Sequence, residues 1–237
     1  MMKISEIFLS LQGEGRNTGR PVVFIRFYGC AVCCSYCDSK YTWSDNKDEY
    51  LDMSAEDIVK AVKDIDPKCC SICITGGDPD LLPDNEILPL IDLLKEYEIS
   101  IEASGFRSPL RYFDEVSPRR EDGHPVVDFV VMDVKGPSAH AKVSNPQYIS
   151  ELRFCDQAKF LVSDEQDFDF MIRVLEKYDS VCEILISPVM TANDEHVNKQ
   201  RMNWLAEKIL SMPEMFRNRA RLNFQLHKII WGNERGR

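Results

Sequence analysis

The chain has 237 residues, 29 Lys and Arg against 39 Asp and Glu, and a formal charge of −10. Its 44% hydrophobic and 29% charged residues suit a globular chain of one α/β barrel-type domain or two small ones. The acidic balance speaks against broad nucleic-acid or anionic-membrane binding, and the apolar runs are too short to span a bilayer. The stretch MMKISEIFLS is broken by Lys3, Ser5 and Glu6, so no signal-peptide core is expected and a cytoplasmic protein is.

In chain order, residues 22–27 (VVFIRF) read as a strand and 54–65 as a helix opened by a capping box of Ser54 and Asp57. Residues 71–75 are a β-branched strand, 84–97 a helix of 3.6 period, 99–103 a strand and 109–116 a short helix. The near-continuous apolar run 126–134 reads as a strand buried on both faces. Strands follow at 159–162 and 183–187, helices at 167–178 and 195–210, and a last strand at 222–227. Such alternation predicts a mostly parallel sheet with right-handed crossovers. There are too few units for a closed eight-fold barrel. The expected fold is α/β, a partial (open) TIM-like barrel in one domain over 1–237, with a small insertion at about 137–153. The polar clusters fall directly after strands: Cys30, Thr75-Gly76-Gly77-Asp78-Pro79, Glu102-Ala103-Ser104-Gly105, Asp133-Val134-Lys135, Ser187-Pro188 and Gln225-Leu226-His227. In parallel α/β folds the carboxyl ends of strands gather the site, so one site is expected to draw on the whole chain.

Nine cysteines, with no export signal expected, read as metal ligands or redox groups rather than disulfides. Cys30, Cys34 and Cys37 form CxxxCxxC. An iron–sulfur cubane takes one thiolate per iron, so three thiolates leave one iron open for a substrate or cofactor. The alternative is structural zinc on two abutting CxxC pairs, which would force the adjacent Cys33 and Cys34 onto one tetrahedral ion. Cys33 is a bystander or an accessory thiol. Cys69, Cys70 and Cys73 run into an apolar strand and read as packing.

CxxxCxxC after a strand, an aromatic-rich turn and a Gly-Gly-acid-Pro strand end together resemble the radical S-adenosylmethionine (SAM) superfamily. The resemblance implies a 4Fe-4S cluster on Cys30, Cys34 and Cys37, with the amino and carboxylate groups of SAM on the open iron. One electron passed to the sulfonium cleaves its C–S bond, and the 5′-deoxyadenosyl radical abstracts a hydrogen atom from substrate. The implied SAM contacts are Tyr36, Cys37, Asp38, Gly77, Glu102, Ser104, Asp133, Lys135 and Ser187. The superfamily usually has Glu where this chain has Asp78. Close relatives tend to read Glu-Thr-Asn-Gly and Ser-Pro-Lys where this chain has Glu102-Ala103-Ser104-Gly105 and Asp133-Val134-Lys135.

Outside the cysteines, the chain carries Leu11-Gln12-Gly13-Glu14-Gly15, Gly19-Arg20-Pro21, Cys37-Asp38-Ser39, Gln225-Leu226-His227 and Trp231-Gly232-Asn233-Glu234-Arg235-Gly236. These resemble the 7-carboxy-7-deazaguanine synthase family. Its members are lyases that contract 6-carboxytetrahydropterin to 7-carboxy-7-deazaguanine with loss of ammonia, on the route to queuosine and archaeosine. The implied substrate contacts are Leu11, Gln12, Gly13, Glu14, Arg26, Thr75 and His227, with the tail carboxylate of Arg237 a further candidate. Gln12 can donate and accept, Glu14 can accept from ring N–H groups, and the Arg26 fork suits a carboxylate. Each also has an ordinary reading: a polar turn, a surface salt bridge, β-propensity at Thr75, a structural imidazole at His227. Ser39 resembles the hydroxyl ligand of a Mg²⁺ ion, or else caps a helix. The resemblance further implies a flavodoxin or ferredoxin as electron donor and a homodimer, with neither nucleic acid nor membrane as partner. The alternatives are a glycyl-radical-enzyme activase and, from another class, a zinc-binding interaction module.

Overall fold

The computed structural model describes residues 1–44, 49–190, 195–232 and 234–236, so Asn233 and Arg237 lie outside the described residues. The strands are β1 (Met2–Leu11), β2 (Pro21–Phe27), β3 (Leu51–Met53), β4 (Ser71–Gly76), β5 (Glu98–Ala103), β6 (Val127–Val134), β7 (Gln157–Val162), β8 (Glu183–Pro188) and β9 (Ala220–Leu222). The helices are α1 (Ala55–Ile65), α2 (Asp84–Leu93), α3 (Glu165–Lys177), α4 (Glu195–Leu210), α5 (Glu214–Arg217) and α6 (Leu226–Trp231). One sheet results, in the order β3-β1-β2-β4-β5-β6-β7-β8-β9. Every neighbouring pair from β2 to β9 is parallel, while β1 lies antiparallel to both β2 and β3. With β3 and β9 as free ends the sheet does not close, and the fold is the expected partial TIM-like barrel.

Strand period sorts the side chains. Ile72, Ile74, Ile99, Ile101, Val130, Met132, Ala158, Phe160, Ile184 and Ile186 face the helices and join Ile58, Val62, Leu90, Ile91, Met171 and Leu205 in the main core. Each such Val, Ile, Leu, Met or Phe side chain contributes about 1.5–3 kcal/mol on burial. The intervening residues face inward. They are apolar low in the barrel, where Phe129, Val131 and Leu185 pack together, and polar at its upper end. Residues 126–134 are thus covered on both faces, as their apolar run predicts. Among the described residues no helix is long and apolar enough to cross a membrane.

Helix α1 has the predicted capping box, with reciprocal Ser54–Asp57 hydrogen bonds. Four expectations need correction. The strand β1 is absent from the predicted pattern, because Ser5 and Glu6 interrupt its apolar alternation, yet it pairs along most of β2. Helix α2 stops at Leu93 rather than residue 97: Pro89 removes one backbone donor, and Leu94 turns the chain by sharing its N–H among three carbonyls. The helix expected over 109–116 is a 3₁₀ turn, Pro109–Tyr112. The strand expected over 222–227 ends at Leu222, and His227 sits in α6. There Asn223 makes the last bond to β8, its N–H donating to Ile186 O at 2.9 Å, and its side chain ties the chain elsewhere: Oδ1 accepts from Gly15 N at 3.0 Å and Nδ2 donates to Ser187 Oγ at 2.8 Å. The alternation of LNFQLH suits a strand, but these tertiary bonds outweigh it.

Candidate active site

A cavity of about 250 Å³ opens at the carboxyl ends of the parallel strands. Every site residue anticipated from the sequence lines it except Ser187 and, outside the described residues, Arg237. Ser187 is fully buried behind the wall, held by Asn223.

One wall is the loop after β2. Cys30, Cys34 and Cys37 face the cavity, whereas Cys33 does not and donates its thiol to Cys30 O at 3.3 Å. Burial raises the pKa of Cys30 and pushes that of Cys34 up to about 11, so metal binding there must release protons. Beside them the Tyr36 hydroxyl is buried without a hydrogen-bond partner among the described residues. Gly77 donates its N–H to Phe27 O at 2.9 Å, and a Cβ on it would lie 2.1 Å from Gly29 O, so only glycine fits. Two departures from the family pattern meet: Ser104 Oγ donates to Asp78 Oδ2 at 2.5 Å. Burial raises the pKa of Asp78.

The floor is a row of alternating charge. Lys135 Nζ lies 2.6 Å from Asp133 Oδ2, Lys159 Nζ 3.1 Å from Asp133 Oδ1, and Lys159 Nζ 2.7 Å from Glu14 Oε2. Strand register makes the row, because Asp133 and Lys159 are direct partners across β6 and β7. The Asp133 Oδ1 contact lacks hydrogen-bond alignment, which leaves that oxygen able to accept from a ligand. Burial alone would raise Glu14, but the Lys159 ammonium more than offsets it and holds the carboxyl below its ordinary range. Gln225 Nε2 completes Glu14 by donating to Oε1 at 2.8 Å.

Gln12 uses both amide hydrogens within the protein, toward Glu102 Oε1 at 3.0 Å and Cys73 Sγ at 3.5 Å. Thr75 Oγ1 donates to Glu102 Oε2 at 3.2 Å. Glu102, which the resemblance assigns to SAM, is therefore tied to Gln12 and Thr75, which it assigns to the substrate. A Cβ on Gly13 would lie 2.1 Å from His227 Nδ1, so this glycine makes room for the imidazole, and Leu226 N donates to Gly13 O at 3.0 Å. Burial lowers the pKa of His227 despite the nearby carboxylates of Glu14 and Asp38, so the ring is neutral at pH 7. Asp38 Oδ2 receives Lys228 Nζ at 3.0 Å and Gln225 Nε2 at 3.3 Å, while its Oδ1 accepts from Ser39 Oγ at 3.0 Å. Ser39 thus lends no side-chain cap to the turn it opens. Arg26 Nε faces Glu6 Oε1 at 2.9 Å without hydrogen-bond alignment, so its charge is paired in the free protein.

The radical SAM superfamily profile matches residues 24–197. The curated 7-carboxy-7-deazaguanine synthase of Methanospirillum hungatei JF-1 is 35% identical over 97% of this chain and 85% of its own length. Its namesakes from Bacillus cereus and Pyrobaculum aerophilum are each 30% identical, over 98% and 100% of this chain and 98% and 97% of theirs. This chain belongs to the radical SAM superfamily, within the 7-carboxy-7-deazaguanine synthase family. The crystal structure of QueE from Escherichia coli shares the fold, at TM-score 0.67 and 24% identity, over 94% of this chain and 93% of that one.

Membership implies a 4Fe-4S cluster and SAM, and the chain fits both. Three thiols spread along one loop suit a cubane, with one sulfur per iron. The zinc reading is not favoured, because the chain belongs to a superfamily that implies a 4Fe-4S cluster and SAM. The unpartnered Tyr36 hydroxyl and the ammonium of Lys135 stand ready beside that loop for a polar ligand.

Sequence reasoning missed Lys159, Lys228 and Asn223, and it quoted Gln225 without a role. Lys159 carried one available signal, the only charge in a largely apolar strand (QAKFLV). Its two carboxylate partners, 26 and 145 residues away in sequence, were not readable.

Proposed function

We propose that this chain is a ring-contracting lyase converting 6-carboxy-5,6,7,8-tetrahydropterin to 7-carboxy-7-deazaguanine with loss of ammonia. The observation that carries the proposal is the meeting of Gln12, Glu14, Glu102, Gln225 and His227 in a small polar cavity facing the cysteine loop. A flat heterocycle edged with donors and acceptors suits such walls. A protein glycine would need an open docking face, so the activase reading is not favoured.

A cluster held by Cys30, Cys34 and Cys37, with SAM, would supply the radical chemistry that removes a hydrogen atom from substrate. This chain's own groups bind, orient and exclude water. Glu14 and Glu102 present acceptors to ring N–H groups, and Glu14 remains ionised because Lys159 touches it. His227, neutral and walled in, can accept or hand on a proton at neutral pH. Tyr36, Ser104, Asp133 and Lys135 line the cysteine side and suit SAM. With a net charge of −10 the overall field repels an anionic pterin, so capture falls to local cations, Arg26 and Lys228 among them. Mg²⁺ belongs to the same reading: Ser39 Oγ and the adjacent Asp38 carboxylate are hard oxygen donors that would hold it. So do a flavodoxin or ferredoxin donor and a homodimer.

The test is an anaerobic incubation with SAM, Mg²⁺, a low-potential reductant and the carboxytetrahydropterin. The deazaguanine should form, and deoxyadenosine release should rise with added substrate. Slow deoxyadenosine release that ignores the pterin, with no deazaguanine, would refute the proposal.

A further inference from the structure

The loop that carries the cysteines does little to hold itself. Across residues 30–37 there is no helix or strand. Its internal bonds are Cys37 N to Cys34 O at 3.2 Å, the Cys33 thiol to Cys30 O, and the backbone N–H groups of Val32 and Cys33 to the Cys30 sulfur. Its support comes from the segment after β6. Ser35 donates its N–H to Ala139 O at 2.9 Å and its hydroxyl to Ser138 O at 3.0 Å. In return Lys142 N donates to Val32 O at 3.0 Å. Ala139 packs, fully buried, against Val32 and Cys34. These bonds bracket Cys33 and Cys34 and reach to within two residues of Cys37.

The supporting segment is itself anchored at one point. Asp167 of α3, buried, accepts from Ser138 N at 3.0 Å and from the Ser138 hydroxyl. It also accepts from Ser163 N at 2.9 Å and Ser163 Oγ at 2.8 Å. Four donors thus converge on one carboxylate, which has acceptor capacity for all of them and no hydrogen to clash. A Cβ on Gly136 would lie 2.6 Å from Asp167 Oδ1, so the segment approaches as closely as backbone allows. The two non-glycine residues with left-handed φ among the described residues, Cys33 and His140, both lie in these two loops. Such backbone persists only where neighbouring contacts over-determine it.

We propose that Asp167 is a positioning residue for the iron–sulfur cluster, acting through residues 136–142 to hold the cysteine loop in its ligating shape before iron arrives. The proposal rests on Cys30, Cys34 and Cys37 as the cluster ligands and needs no assumption about the pterin. It gives a role to the front of the segment expected as an insertion.

The test compares Asp167→Asn with Asp164→Ala. Asp164 caps the same helix, accepting from Asp167 N at 3.1 Å, but among the described residues its side chain bonds to neither loop. In the metal-free protein, amide exchange over 30–37 should quicken at least tenfold in Asp167→Asn and remain as wild type in Asp164→Ala. In reconstituted protein kept anaerobic, iron should pass to a chelator at least threefold faster in Asp167→Asn alone. Equal effects in the two variants, or an unchanged loop in Asp167→Asn, would overturn the proposal. Should Asp167→Asn fail to fold, Ser35→Ala decides, since it deletes only the hydroxyl bond to Ser138 O. Faster exchange and iron loss there support the proposal, and wild-type values refute it. Product formation is not read in any arm, so failure here leaves the lyase assignment standing. A wild-type chain that takes up no iron would overturn both.

Discussion

Replacing Lys159 with methionine removes the cation that bridges two carboxylates. Methionine nearly conserves the volume, so packing changes little and the effect is electrostatic. The lysine side chain is 7% exposed and that of Glu14 11%, so water screens the pair weakly. Deleting one member of a buried pair typically costs about 3–5 kcal/mol, because the other charge is left uncompensated. Asp133 retains Lys135 at 2.6 Å, so the loss falls mainly on Glu14 and the lower end, about 3 kcal/mol, is expected. The sign with pH follows from the direction of the Glu14 shift. In the wild type the folded carboxyl titrates below its ordinary value of 4.5, so the pair stabilises above that value and is lost as pH falls through the folded pKa. In the variant, burial without Lys159 raises the folded pKa, and Glu14 protonates as pH falls from 7 toward 5. The penalty should then shrink by about 1.4 kcal/mol per unit below that raised pKa. Urea unfolding of the metal-free proteins at pH 7.5 and 5.0 measures both effects. A cost under about 1 kcal/mol, or one equal at the two pH values, would refute the reasoning.

Cys34→Ala should abolish formation of a four-iron cluster while Cys33→Ala retains it, read from iron content and the visible spectrum after reconstitution; a four-iron cluster without Cys34 would sink the ligand assignment. Arg26→Ala should raise KM for the pterin tenfold or more with cluster content intact, whereas loss of the cluster would mark the Arg26–Glu6 pair as structural. Burial and then the neighbouring Asp78 push Asp80 up to about 7 from an ordinary 3.8. The folded state therefore binds a proton that the unfolded state lacks across that window, and stability should fall as pH rises from about 4 to 7. Asp80→Asn should flatten this slope in urea unfolding, and an unchanged slope would assign it to another group.

Much of the fold was local and therefore legible. β-Branched runs alternating with amphipathic stretches specify parallel strands and covering helices, and the Ser54–Asp57 capping box lies within four residues. The cysteine motif was legible for the same reason, since Cys30, Cys34 and Cys37 share one loop. The ends were less legible. Strand β1 belongs to the sheet through pairing with β2 rather than through its own pattern, and α6 replaced a strand because Asn223 and Gly13 bind its flanks.

The residues themselves determined which groups could act: three thiols, an amide, carboxylates and an imidazole placed just after strands. Tertiary structure decided which of them touch. Lys159 neutralises Glu14 and Asp133 because parallel register sets β6 beside β7 and the barrel brings the end of β1 across to them. Asp167 reaches the cysteine loop only through a second loop. Charge and hydrogen bonding act over a few ångströms of space, and separation along the chain does not encode that distance.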